Sequence, residues 1–144
     1  MARFDLSVQI ARPPEDVFAY LTDLDNLIEW QASLVEVRPQ TPPPLAAGSR
    51  FTEVRSALGR RIESDVEVKE LEPPRRFTVR STGGPLPFTV EHELEPAGDG
   101  TTLRVAAEGE PKGALRLGGP MVMRRAEAAF RSDFERLKQR LESS

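Results

Sequence analysis

Hydrophobic and polar residues alternate at the start of this chain. Over residues 4–10 every second side chain is apolar and those between are polar, which is the period of a strand with one buried face. Pro13 and Pro14 end that strand, and a proline suits the first turn of a helix because its missing N–H would have no partner there. Bulky apolar residues then predict one short helix that ends near residues 22–23 and a second over residues 24–30.

Alternation returns after Trp30 and predicts about six further strands. They cover residues 34–38, 48–55, 62–68, 77–81, 88–94 and 103–107. Turns that contain glycine or proline separate most of them, including the hairpin sequence Asp99-Gly100. Short strands joined in this way predict an antiparallel meander.

The final segment has the period of a helix instead. Its apolar residues are four, four, three and four positions apart, at Ala126, Phe130, Phe134, Leu137 and Leu141, which predicts one long amphipathic helix. The arginines on its other face are interleaved with acidic residues, so we expect that face to be solvated rather than to bind nucleic acid. A sheet with one apolar face must be covered, and the order of elements therefore predicts an α+β fold in which a curved antiparallel sheet of about seven strands wraps around this helix.

Composition sets wide limits on the remaining classes. The chain has 144 residues and a net charge of -3, which suits a single domain over 1–144 and offers no general attraction for nucleic acid or anionic lipid. Cysteine is absent, which excludes a disulfide framework, a thiolate metal site and a cysteine nucleophile. No apolar run approaches the roughly 18 residues of a membrane span and the first residues lack a signal pattern, so we expect a cytoplasmic protein. A monomer and a homodimer remain open.

Residues 10–23, together with Asn26 and Trp30, resemble the opening of the START-like (SRPBCC) superfamily, which includes polyketide cyclase/dehydrase-type and other helix-grip proteins. The turn over residues 93–101 and the long final helix resemble later landmarks of that superfamily, so the similarity covers the whole chain in order. The resemblance implies a helix-grip fold with a deep cavity between the sheet and the last helix. Members of the superfamily bind lipids, hormones or polyketides or act as chaperone regulators, and the shared shape does not select among these functions.

The inward-facing residues of the predicted sheet and helix are the candidate ligand contacts. They are Ser64, Val66, Phe77, Val79, Phe88, Val90, His92, Leu103 and Val105 on the strands, Met121, Val122, Ala126 and Phe130 on the helix, and Trp30 at the expected mouth. Taken singly, each of them suits a solid core better than a ligand contact. As a set, with few large aromatic residues on the sheet and small polar ones such as Ser64, they favour a cavity.

His92 is the only histidine and the first candidate for proton transfer or for orienting a ligand oxygen. The competing interpretation, a hydrogen-bonded core histidine, is the favoured one. No second histidine is available to share a metal, and no nucleophile elbow or phosphate-binding loop is present, so we expect neither a metal site nor a cofactor.

The strand over residues 50–56 has two possible orientations. If Phe51 points inward, Glu53 and Arg55 also do so and form a polar clamp in the cavity. If Thr52 points inward, the charged pair lies on the surface. The surface orientation is slightly favoured.

Three functions follow from these patterns. The main hypothesis is a module that binds a small, mainly hydrophobic ligand, lipid- or polyketide-like, in the cavity between sheet and helix. The alternative is a cyclase or dehydratase in which His92, Arg55 or Glu53 moves protons. The third is a protein-interaction module with a filled core. The loop over residues 111–120 either gates the cavity or is an ordinary connection.

Overall fold

The computed structural model describes residues 2–57, 59–85, 87–109 and 119–143. Over these ranges the chain forms seven strands: β1 (Ala2–Ile10), β2 (Leu34–Pro39), β3 (Arg50–Ala57), β4 (Arg60–Glu72), β5 (Arg76–Gly83), β6 (Phe88–Ala97) and β7 (Gly100–Gly109). The helices of the described ranges are α1 (Pro14–Leu21), α2 (Leu27–Trp30), which follows a single 3-10 turn at Leu24–Asn26, and α3 (Gly119–Glu142). The predicted order of elements is therefore confirmed.

All seven strands join one antiparallel sheet in the order β1-β7-β6-β5-β4-β3-β2. The strands from β2 to β7 form the predicted meander, and β1 pairs along its whole length with the last strand, from Ala2 opposite Gly109 to Ile10 opposite Thr101. Because β1 and β2 occupy opposite edges of the sheet, the segment that contains α1 and α2 must cross from one edge to the other. This segment covers one end of the sheet.

The junction between β1 and α1 is held by backbone contacts. Pro13 has an extended conformation and its carbonyl accepts the first helical bonds, from the N–H of Val17 at 3.1 Å among others. The hydroxyl of Thr101 donates to the carbonyl of Arg12 at 2.7 Å. Gly100 lies directly against β1, since an added Cβ would sit 2.4 Å from the carbonyl oxygen of Ile10. The β6–β7 turn thus fixes the point at which the chain leaves the sheet.

The long helix α3 runs alongside β1 in the same direction. Phe130 lies near Phe4, with ring centroids 6.1 Å apart, and Lys138 bonds the carbonyl of Gln9 further along. The C-terminal half of α3 is packed into the core, where Phe134, Leu137 and Leu141 are at most 4% exposed. No helix within the described ranges is both long enough and apolar enough to cross a membrane.

The N-terminal half of α3 is packed much less closely. Met121 is 65% exposed, Ala126 is also exposed, and Phe130 is partly buried. The periodicity of the sequence predicted one continuous buried stripe that included Ala126, but Met121 and Ala126 are exposed and are not packed in the core. Their predicted contact with a ligand stays a prediction. The apolar core surrounds only the part of α3 that lies beside α1 and α2.

Candidate functional site

The sheet has one concave face toward α3, and strand register shows which residues share it. Val90 pairs with Ala107, and His92 pairs with both Phe77 and Val105 across neighbouring strands. Most of the residues predicted for this face are buried: Ser64, Val66, Phe77, Val79, His92, Leu103 and Val105. Phe88, Val90 and Phe130 are partly buried and pack against the same core. The structure therefore brings these residues together, while their role as ligand contacts stays a prediction.

The remaining predicted site residues are not all part of this buried group. Met121 and Ala126 are exposed, as described above, and the side chain of Val122 and residues 110–118 of the predicted gate lie outside the described residues. Trp30 was expected at a mouth, but it is only 3% exposed because its ring packs on Phe134 with centroids 5.0 Å apart. Its indole Nε1 is buried and has no hydrogen-bond partner among the described residues.

The two ends of the concave face differ in packing. At the end beside α1 and α2, residues such as Leu94 and Leu103 are fully buried. At the end where β1 begins, Phe4, Leu6, Phe88, Val90 and Ala107 are only partly buried. Phe4, Ala107 and Val90 are neighbours in register on three successive strands, so they form one apolar row. We call Phe4, Phe88, Val90 and Ala107 the open row.

Two clefts formed by described residues lie apart from the open row. One, of about 450 Å³, includes Arg75, Arg76 and Glu93, and the other, of about 520 Å³, includes Glu93, Arg104 and Arg131. The outward-facing Glu93 contributes to both, and charged side chains dominate their linings. Neither cleft suits an apolar ligand.

His92 lies at the centre of an aromatic group on the concave face. Its ring stacks on Phe77 with centroids 5.3 Å apart and meets Phe134 of α3 at 5.8 Å. Nδ1 is 2.8 Å from the carbonyl oxygen of Phe77, which can only accept, so Nδ1 carries the proton and Nε2 keeps a lone pair. Burial lowers the pKa of His92 to about 4, and the bond to Phe77 opposes that shift. His92 is therefore neutral at pH 7 and offers an acceptor rather than an acidic proton.

The orientation of β3 corrects the sequence analysis. Phe51, Glu53 and Arg55 pair with Val66, Ser64 and Ile62 of β4, and this set lies on the concave face. Thr52 lies on the outer face, where its hydroxyl bonds Asp65 at 2.9 Å. The preferred surface position of Glu53 and Arg55 is wrong, since Glu53 is only 5% exposed. The pattern was ambiguous because Phe51, Thr52, Glu53 and Val54 are all buried, which removes the usual contrast between two faces.

Arg55 is the centre of a polar network, and we call Gln31, Ser33, Glu53 and Arg55 the arginine cluster. Arg55 Nη2 and Nε lie 3.0 and 3.3 Å from Glu53 Oε2, and Nη1 donates to Ser33 Oγ at 3.0 Å. A further bond joins Nη2 to the side-chain oxygen of Gln31. Sequence reasoning missed Gln31 and Ser33, because nothing local distinguishes them from ordinary loop residues.

Asp133 of α3 borders the arginine cluster. Its Oδ1 accepts from the backbone N–H of Ala32 at 3.1 Å and from Arg136 at 3.3 Å. Burial raises the pKa of Asp133, while the Ala32 hydrogen bond and the charges of Arg55 and Arg136 oppose the shift. The α2–β2 loop, β3 and α3 therefore meet at one charged corner of the concave face.

Comparison with known proteins agrees with this architecture. A relative from Mycobacterium tuberculosis strain H37Rv, described as the uncharacterized protein Rv1546, is 28% identical over 141 residues, which is 96% of either chain. Two solved structures are similar over nearly their whole length. TTHA0849 from Thermus thermophilus has a TM-score of 0.84 and 19% identity, and the similarity covers 99% of this chain and 98% of that one. A START superfamily protein from Mycobacterium smegmatis has a TM-score of 0.83 and 17% identity, and the similarity covers 98% of this chain and 97% of that one. They confirm the helix-grip fold.

The sequence also matches, over residues 1–142, the family described as polyketide cyclase / dehydrase and lipid transport. The match spans the opening strand, the sheet that carries the open row and the arginine cluster, and the whole of α3. The chain therefore belongs to the polyketide cyclase / dehydrase and lipid transport family.

Proposed function

We propose that this protein binds a small, mainly hydrophobic ligand between the concave face of the sheet and the N-terminal half of α3. The observation that carries the proposal is that the residues of the open row are only partly buried. The N-terminal half of α3 is not packed into the core either, since its Met121 is 65% exposed. The family description, which names polyketide cyclases and lipid transport, supports the same class of ligand.

The energetic argument is that apolar surface left in contact with water is unfavourable by about 25 cal/mol for each Å². Phe4, Phe88 and Val90 belong to one continuous face, so a single apolar molecule could cover them together. Covering them would recover part of that free energy without rearranging the packed end of the core. Contiguous apolar surface of this kind commonly marks a binding site.

The state of His92 favours binding over acid–base catalysis. At pH 7 its single ring proton is held by the carbonyl of Phe77, and burial disfavours the charged form. A general acid or base works best with a pKa near the working pH, and about 4 is far from neutrality. His92 therefore acts in this proposal as part of the wall of the site.

A pair of substitutions on β7 tests the site. Ala107 points to the concave face between Phe4 and Val90, whereas Ala106 pairs with Asp5 and Glu91 on the outer face. The fluorescent probe N-phenyl-1-naphthylamine, which is neutral and apolar, is titrated into the wild type, Ala107→Phe and Ala106→Phe. We expect Ala107→Phe to weaken probe binding by about tenfold or more and Ala106→Phe to leave it unchanged.

The thermal unfolding midpoint of each variant shows whether it folds, and Ala107→Leu with Ala106→Leu provides a smaller pair if phenylalanine is not tolerated. Native mass spectrometry of the purified wild type adds an independent search for a bound apolar compound. Failure of the wild type to bind the probe, or equal loss of binding in the inner and outer variants, would contradict the proposed function.

A further inference from the structure

The arginine cluster leaves two polar groups unused on the concave face. Both hydrogen bonds that Glu53 accepts from Arg55 go to Oε2, and Oε1 has no hydrogen-bond partner among the described residues. Ser64 is the cross-strand neighbour of Glu53, and its hydroxyl is also unpaired within the described part of the chain. Glu53 is 5% and Ser64 7% exposed. Neither oxygen is among the fully buried unpaired atoms of the described residues, so both keep some contact with solvent and can take a ligand group as a partner in place of water.

The chemistry of the two groups defines that partner. An ionised carboxylate oxygen only accepts, whereas the serine hydroxyl both donates and accepts. A ligand hydroxyl satisfies both at once, because it donates its proton to Glu53 Oε1 and accepts the proton of Ser64 Oγ. A ligand carboxylate has no proton to donate and would place a second negative charge beside Glu53.

The charges around the cluster are already balanced. Arg55 is matched by Glu53, with Nη2 and Oε2 3.0 Å apart, and Arg136 is matched by Asp133 at 3.3 Å. An added anion would therefore be buried without a free cationic partner, which is strongly unfavourable. A neutral polar group meets no such penalty.

From these contacts we propose that Glu53 and Ser64 form a subsite for the hydroxyl group of an otherwise apolar ligand, and that this subsite discriminates against carboxylates. The inference rests on the proposed function, since the apolar body of the ligand would lie on the open row. In register across β5, Val90 of β6 is in line with Val68 of β4, and Ser64 is four residues from Val68 along β4. At about 4.8 Å per strand and 3.3 Å per residue, Ser64 and Val90 are therefore roughly 16 Å apart. The ligand class is therefore a long-chain alcohol or an extended phenol.

The test compares three probes of similar length, 1-dodecanol, dodecanoate and dodecane, by displacement of N-phenyl-1-naphthylamine at pH 7.5. We expect the wild type to bind 1-dodecanol about tenfold or more tightly than dodecanoate, because the carboxylate is ionised at that pH. Binding of dodecane reports on the apolar site alone.

Glu53→Gln removes the charge but keeps the shape of the side chain, and Ser64→Ala removes the second group. We expect Glu53→Gln to reduce the preference for 1-dodecanol over dodecanoate by about fivefold or more. We expect Ser64→Ala to weaken the binding of 1-dodecanol and to leave the binding of dodecane unchanged. Glu63→Gln is the matched control, because Glu63 is on the same strand as Ser64 but is exposed and bonds Arg38. Its preference should equal that of the wild type.

The outcomes separate the two proposals. If the wild type binds N-phenyl-1-naphthylamine and dodecane but binds dodecanoate as tightly as 1-dodecanol, the proposed hydroxyl subsite is wrong and the proposed function stands. An unchanged preference in both folded Glu53→Gln and Ser64→Ala would also overturn the subsite. If neither the dye nor any of the three probes binds to the wild type, the proposed function itself fails.

Discussion

The Nδ1–H of His92 donates to the carbonyl oxygen of Phe77 on the neighbouring strand at 2.8 Å. The same two residues stack their rings, and the ring of Phe134 of α3 also contacts the imidazole. The histidine that sequence analysis singled out for its chemistry is thus held as a neutral, packed member of the interface between sheet and helix. This relationship has a measurable consequence for stability.

The first prediction concerns the pH dependence of unfolding. The pKa of His92 is about 4 in the folded protein and 6.5 in the reference state, so between these values the unfolded chain binds a proton that the folded protein does not. Stability must therefore fall as the pH drops from about 6.5 toward 4. When the pH is lowered from 7 to 4.5, the unfolding free energy of the wild type should therefore fall by about 2 kcal/mol more than that of His92→Gln.

Urea denaturation of both proteins at several pH values measures this difference. Comparing the two proteins removes the contributions of groups present in both, including Asp133, whose raised pKa acts in the opposite direction. Parallel curves for the two proteins across pH 4.5 to 7 would show that His92 does not titrate in this way.

The second prediction concerns the contact between Asp133 and the backbone N–H of Ala32. Asp133→Ala leaves that N–H without its acceptor and removes a negative charge near Arg55 and Arg136. Because Ala32 is exposed and water can replace the lost acceptor, we expect a loss of about 0.5–1.5 kcal/mol in unfolding free energy. Asp133→Asn keeps an oxygen acceptor and should lose less. Glu135→Ala, at an exposed position on the same helix, is the control, and its unfolding free energy should barely change. If Asp133→Ala lost no more unfolding free energy than Glu135→Ala, the result would count against the contact.

The third prediction concerns the close approach of Gly100 to β1. An added Cβ would lie 2.4 Å from the carbonyl oxygen of Ile10, so backbone must move in Gly100→Ala. We expect a cost of about 1–3 kcal/mol, as for other overpacked positions. Gly109→Ala at the other end of β7 is the matched control, because its Cβ would meet the carbonyl oxygen of Pro87 at an ordinary 3.5 Å. Thermal denaturation that ranks the two variants equally would contradict this account.

The fourth prediction concerns Phe134, whose ring contacts Trp30, His92 and Phe130 with centroids 5.0 to 5.8 Å away. Phe134→Ala should lose about 3–5 kcal/mol, since a buried aromatic side chain is removed from a closely packed site. Met121→Ala on the same helix removes a side chain that is 65% exposed, and its change should stay within about 0.5 kcal/mol. Similar losses in chemical denaturation would mean that both halves of α3 are packed alike.

Much of the fold could be predicted because the chain repeats two periods clearly. Apolar and polar residues alternate along β1 and β6, which predicts strands with one buried face. The apolar residues before Leu141 are three or four positions apart, which predicts a helix. The prediction failed on β3, where residues on both faces are buried, and on Ala126, where the period continues beyond the part of α3 that the sheet covers. Periodicity records which residues share a side, but it does not record how far a neighbouring element extends.

The candidate site was less predictable than the fold. Its apolar residues could be found from alternation, whereas the arginine cluster joins Gln31 to Arg55 and lies beside Asp133, which is 101 residues from its partner Ala32. No local pattern relates positions so far apart.

The sequence by itself determined the order of strands and helices, the apolar face of most strands and the family resemblance, because these depend on neighbouring residues and on backbone geometry. Only the tertiary structure decided that β1 joins β7, that Glu53 faces inward beside Ser64, and that His92 is neutral. These properties depend on strand register and on desolvation by distant residues, which exist only once the chain has folded.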